Sequence, residues 1–110
     1  MGKFVIKKRS NGEFQFNLHA NNGQIILSSE GYASKAGCEN GISSTRVNAQ
    51  DDSRFERKIS TSGKPYFNLK AANGQVIGAS EMYESAAARE GGIASVKVNS
   101  VNASVEDQSV

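Results

Sequence analysis

The sequence has no tryptophan and only one proline, one histidine and one cysteine. A solitary Cys38 excludes an internal disulfide and any cysteine-based metal cluster. No apolar run approaches the ~20 residues of a membrane-spanning helix. The opening Met1-Gly2-Lys3-Phe4-Val5-Ile6-Lys7 lacks the apolar stretch of a secretory signal. Ile6 stands where N-myristoylation requires serine or threonine. A soluble cytoplasmic protein with no membrane partner is the simplest expectation. The formal charge of +2 is too small to imply nucleic acid by itself.

What the sequence does have is itself, twice. Displaced by 51 residues, segment 4–49 aligns with 55–100 without a gap, and 22 of the 46 positions are identical. Phe16-Asn17-Leu18-His19-Ala20-Asn21-Asn22-Gly23-Gln24 matches Phe67-Asn68-Leu69-Lys70-Ala71-Ala72-Asn73-Gly74-Gln75. Half of a 110-residue chain with 37% hydrophobic residues would be marginal alone, so the two copies are expected to share one core.

Each copy reads as three strands followed by a helix, an α+β design. Phe4–Arg9 and Glu13–His19 alternate apolar with polar residues, the period of a half-buried strand. A two-residue Asn-Gly turn between them would place Ile6 opposite Asn17 and mix the faces. A three-residue loop, Ser10-Asn11-Gly12, with Gly12 left-handed, sets Ile6 opposite Phe16 and Phe4 opposite Leu18. Thr61-Ser62-Gly63 should do the same in copy two, pairing Phe55 with Leu69. Asn21-Asn22-Gly23 and Ala72-Asn73-Gly74 turn into third strands near 24–29 and 75–80.

Ser34 and Ser85 are good N-cap residues for helices near 34–46 and 85–97. Gly37, Gly41 and Gly92 each cost such a helix up to ~1 kcal/mol relative to alanine, so the helices must lie close on the sheet for support. Ile42 and Ile93 are the expected anchors. The inward set is Phe4, Ile6, Phe14, Phe16, Leu18, Ile26, Phe55, Ile59, Phe67, Leu69 and Ile77. The expected architecture is a single domain over 1–100, with one six-stranded antiparallel sheet and both helices on one face. Val101–Val110 has no counterpart in copy one and reads as a flexible tail.

Two motifs carry a family resemblance: F-x-F-N-L-x-A-x-N-G-Q at 14–24 and Y-x-S-x-A-x-x-E-x-G-I at 32–42. Copy two matches the second motif at 83–93 and departs from the first at Pro65. On these residues the chain resembles the YegP-like family of small bacterial proteins of unknown function. The resemblance spans about residues 3–100. It implies a tandem β3-α arrangement in one sheet, with helices exchanged between repeats, and it brings no catalytic residues or cofactor.

Enzyme chemistry finds little support in the residues. His19 becomes Lys70 in copy two, and no G-x-S-x-G nucleophile elbow accompanies it. Cys38 becomes Arg89 and reads as a small buried helix residue. Glu30/Glu81 and Glu39/Glu90 recur, but nothing makes two of them face one substrate. A helix N-terminus accounts for Glu39 and Glu90 equally well.

The polar face of the sheet is the candidate interaction surface. Alternation sends Lys3, Lys7, Arg9, Glu13, Gln15, Asn17 and His19 outward, with Glu56, Lys58, Ser60, Lys64, Tyr66, Asn68 and Lys70 from copy two. Six cations against two acids leave that face at +4, and the rest of the chain at −2. Lys7, Arg9, Asn17, Lys58, Tyr66, Asn68 and Lys70 are the candidate interaction residues. Such a face could attract a polyanion or simply be solvated, and Tyr66 is its one stacking aromatic. Asn17 and Asn68 are unusual in mid-strand. A ligand contact or a hydrogen bond to a neighbouring strand would each explain them. The expected function is a monomeric, non-enzymatic module that binds a protein or small ligand. The alternative is a weak nucleic-acid binder.

Overall fold

The structure, a computed structural model, describes residues 2–110. In chain order its elements are β1 (Lys3–Lys8), β2 (Phe14–His19), β3 (Ile25–Ser29), α1 (Lys35–Asn48), β4 (Phe55–Ile59), β5 (Pro65–Lys70), β6 (Val76–Ala79), α2 (Ala86–Asn102) and β7 (Ser104–Asp107). The strands form one sheet in the order β4-β5-β6-β3-β2-β1-β7.

The hairpin turns set the register. The Arg9 N–H donates to the Glu13 carbonyl at 2.7 Å, closing a three-residue loop. Gly12 (φ +89°) and Gly63 (φ +86°) occupy the left-handed region, where a Cβ would be strained. As a result Ile6 faces Phe16, Phe4 faces Leu18 and Phe55 faces Leu69. A bulge follows in each copy, after Leu18 and after Leu69. Upstream of each bulge a serine replaces a ladder bond. Ser29 Oγ accepts the Phe16 N–H and Ser80 Oγ accepts the Phe67 N–H, both at 2.9 Å.

Both helices start where the serines cap them: Ser34 Oγ accepts the Gly37 N–H and Ser85 Oγ the Ala88 N–H, each at 3.0 Å. They lie on aromatic ring stacks. Phe16 meets Phe4 edge-on at 5.6 Å and stacks on Tyr32 at 6.4 Å. Phe67 does the same with Phe55 and Tyr83. A Cβ at Gly41 would fall 2.3 Å from Tyr32 Oη, and one at Gly92 would fall 2.1 Å from Tyr83 Oη. The glycines that weaken the helices are therefore what let them approach. Rather than being wholly exchanged, each helix bridges the repeats: α1 packs on β2 and also on β5 and β6, and α2 on β5 and also on β1, β2 and β3.

The repeats join where β3 pairs with β6, Ser28 facing Ala79 and Ser29 facing Gly78. Residues 28 and 79 are equivalent, so the pseudo-twofold axis runs through them. Leu27 and Gly78, also equivalent, flank the axis on the inner face. A Cβ at Gly78 would lie 2.7 Å from the Ser28 carbonyl oxygen and 3.2 Å from Leu27 Cγ.

Three expectations need correction. First, the sheet has seven strands and is mixed, because β7 runs parallel to β1, Phe4 facing Val105 and Ile6 facing Asp107. Second, the segment read as a flexible tail is structured: α2 continues to Asn102 and β7 follows. Arg46 caps that turn, its guanidinium donating to the carbonyls of Ser100 (2.9 Å) and Ala103 (2.8 Å) while standing 5.0 Å over the Phe4 ring. The partners of β7 lie about a hundred residues away along the chain, beyond any local sequence signal. Third, Ile59 is not core but 60% exposed. It sits on the edge strand β4, where Arg57 takes the inward position that Ile6 holds in β1. Arg57 pairs with Glu90 (2.8 Å) and Asp52 (3.2 Å), and such an inward charge discourages edge pairing. The expected inward residue Phe14 is half-buried at the margin of the core.

Candidate functional site

The helices cover one face of the sheet and leave the other open. The seven candidate residues divide into two groups on that face. Lys7 lies on β1, Arg9 just follows it and Asn17 sits on β2, whereas Lys58 lies on β4 and Tyr66, Asn68 and Lys70 on β5. β3 and β6 separate the groups, so β1 and β4 stand five strand spacings apart, about 24 Å. The structure therefore does not gather the seven into one site.

Most of the charge on this face is already matched. Lys3 pairs with Glu106 (3.1 Å), Arg9 with Glu13 (3.4 Å), Lys64 with Glu84 (3.2 Å) and Lys70 with Glu56 (3.1 Å). Glu84 and Glu106 come from outside the outward strands of the two repeats, so the excess of four positive charges falls to two. Lys7 and Lys58 are the cations of this set without an ion pair among the described residues.

The two asparagines have neighbours of their own. Asn17, 7% exposed, accepts from Gln15 Nε2 at 3.1 Å, and Arg9 in turn donates to Gln15 Oε1 at 2.6 Å. Asn68 donates to Glu56 Oε1 at 3.3 Å, across to β4. Hydrogen bonding within the sheet thus engages both residues, and it differs between the copies.

That difference opens a site in copy one. In copy two, Glu56 holds both Asn68 and Lys70, which keeps the Glu56 carboxyl below the usual carboxylate range. The equivalent of Glu56 in copy one is Val5, 4% exposed, which offers no carboxylate. Beside Val5 lies a hollow of about 320 Å³, lined by Lys3, Lys7, His19, Gly23, Glu106 and Gln108 among others. His19 Nδ1 lies 3.1 Å from the Gly23 carbonyl oxygen. A carbonyl can only accept, so Nδ1 carries the hydrogen. The other nitrogen, Nε2, is buried without a hydrogen-bond partner among the described residues. Sequence reasoning placed Lys3 and His19 outward but missed this hollow, because its far wall is β7. The available signal was the exchange of Val5 for Glu56 between the repeats.

The remaining sequence candidates have structural places. Cys38 is fully buried, and burial together with the charge of Glu39 pushes its thiol up to about 11. Neither Glu39 nor Glu90 lies in the first turn of its helix, so the helix-terminus explanation fails for both. Glu90 is instead bound through both carboxylate oxygens by Arg57.

The family described as "Domain of unknown function (DUF1508)" matches residues 10–56 and 60–107, most of the chain in two copies. The chain belongs to the DUF1508 family. The UPF0339 protein YegP of Escherichia coli O6:H1 is 53% identical over 106 residues, 96% of each chain. The solution NMR structure of E. coli yegP, a protein of unknown function, superposes with a TM-score of 0.93 at 50% identity, covering 98% of this chain and 93% of that one. UPF0339 protein SO3888 of Shewanella oneidensis gives 0.92 at 45% identity, covering 98% and 92%. The resemblance to the YegP-like family and the tandem α+β architecture are thereby established. Each DUF1508 match starts in or beside a hairpin turn, runs through a helix and ends on the strand after it. On that division β7 closes the second DUF1508 unit, as the start of β4 closes the first.

Proposed function

We propose that this protein is a monomeric, non-catalytic, cytoplasmic module that binds a small oxyanion, a carboxylate or phosphate, in the hollow between β1, β2 and β7. The observation that carries the reading is the buried His19 Nε2, unpartnered among the described residues, in a hollow that the unpaired Lys7 also lines. An unpaired polar atom away from water costs roughly 1–3 kcal/mol, which a ligand group can recover. A hydrogen on Nε2 would be donated to the oxyanion, Lys7 would add a charge-assisted bond, and Lys3 is held nearby by Glu106. Monomeric behaviour is supported by the β3–β6 junction, which provides within one chain the contact that a single repeat would need from another. Binding to nucleic acid finds less support, because four of the six outward cations are ion-paired and Tyr66 is a lone aromatic.

Amide NMR titration with inorganic phosphate tests the proposal. Saturable shifts are expected at residues 3–7, 19–23 and 106–108, weakened at least tenfold by Lys7→Gln. Labelled oligonucleotides should show no anisotropy change at moderate salt. Tight oligonucleotide binding with no response to phosphate would overturn the reading in favour of nucleic acid.

A further inference from the structure

The inner side of the molecule carries the same groove twice, once at each junction between a helix and the opposite repeat. The first groove, about 630 Å³, lies between Glu30, Tyr32 and Ser44 of repeat one and Gln75 and Ile77 of repeat two. The second, about 390 Å³, lies between Glu81, Tyr83 and Ser95 of repeat two and Gln24 and Ile26 of repeat one. These five positions are identical under the 51-residue displacement. Neither groove exists within a single repeat.

Charge gives the grooves a common character. The chain has eleven acidic side chains, and eight of them are ion-paired among the described residues. Glu39 is one of the three that are not. The other two are Glu30 and Glu81, the equivalent pair at the two grooves, and among the described residues no lysine, arginine or histidine lines either groove. An equivalent carboxylate without an ion pair at both grooves is free to take a positively charged group. Beside each carboxylate stands a tyrosine ring, and Tyr83 Oη is buried without a hydrogen-bond partner among the described residues. A carboxylate, an aromatic face and an isoleucine together suit an ammonium group on a short aliphatic chain.

We propose that the protein has two equivalent sites for a primary aliphatic amine, one at each repeat junction, with the ammonium on Glu30 or Glu81 and the alkyl chain along Tyr32 and Ile77 or Tyr83 and Ile26. These sites are independent of the oxyanion hollow, which lies on the other face of the sheet. Amide NMR titration of the full chain with n-butylamine hydrochloride, against n-butanol as a neutral control, tests them. Two groups of saturable shifts are expected, around 30–32 with 75–77 and around 81–83 with 24–26, and butanol should give neither. Glu30→Gln should abolish the first group alone and Glu81→Gln the second alone, with thermal stability unchanged because both carboxylates are exposed. A response at one groove only, an equal response to butanol, or shifts that survive both substitutions would overturn the proposal.

Discussion

The hydroxyls of Ser29 and Ser80 each accept the N–H of a fully buried phenylalanine two residues before the strand ladder shifts register. Removing one leaves a buried donor without a partner, which costs about 1–3 kcal/mol. Ser29→Ala should therefore lower stability by that amount in urea unfolding, with little change in the denaturant slope. Ser80→Ala should do the same, and the two losses should add if the sites are independent. At this scale much was legible from sequence. The N-caps at Ser34 and Ser85 and the left-handed turn at Gly12 follow from local chemistry, because each residue acts within three positions of itself. The partners of Asn17 and Asn68 were not legible. One bonds along its own strand to Gln15 and the other across to Glu56, a choice set by whether position 5 or 56 carries a carboxylate.

Among the elements, β7 is the one that charge holds most visibly. Asp107 accepts from Lys35 and Ser109, which together lower its carboxyl to about 2. Gln108 and Lys3 hold Glu106 below its usual range. Both groups are depressed in the folded state, so their contribution is present above the unfolded carboxylate range near ~4. It is lost as pH falls from there towards the folded values. Acidification from about pH 4 to pH 2 should thus loosen β7 before the rest of the sheet. Amide shifts of residues 104–108, where the Gln108 N–H donates to the Ile6 carbonyl at 2.8 Å, would report it. Retention of those shifts down to global unfolding would show that backbone pairing with β1 suffices. The six strands of the two repeats were legible because alternation and turn residues are local signals, and the duplication carries them from one copy to the other. β7 was not, since Ser104–Asp107 carries no such alternation and takes its place from Lys3, Lys35 and Arg46.

Taken as a whole, the molecule has one core: Phe4, Phe16 and Leu18 from one repeat join Phe55, Phe67 and Leu69 from the other beneath two bridging helices. Heat or denaturant should unfold the full chain in a single transition, seen alike by far-ultraviolet dichroism and tyrosine fluorescence. Light scattering should give the mass of one chain at micromolar concentration. The junction at the pseudo-twofold axis has a further consequence. Two separate, identical repeats meeting there would have to present the same residue to each other at position 27 or 78. Within one chain that restriction does not hold, and Leu27 fills the space that Gly78 leaves. A pair of first repeats would crowd leucine against leucine, and a pair of second repeats would set glycine against glycine over a void. Fragments cut between the repeats should accordingly recognise each other and refuse their own kind. By that one unequal pair of residues, the duplication has become a step that gene fission alone cannot retrace.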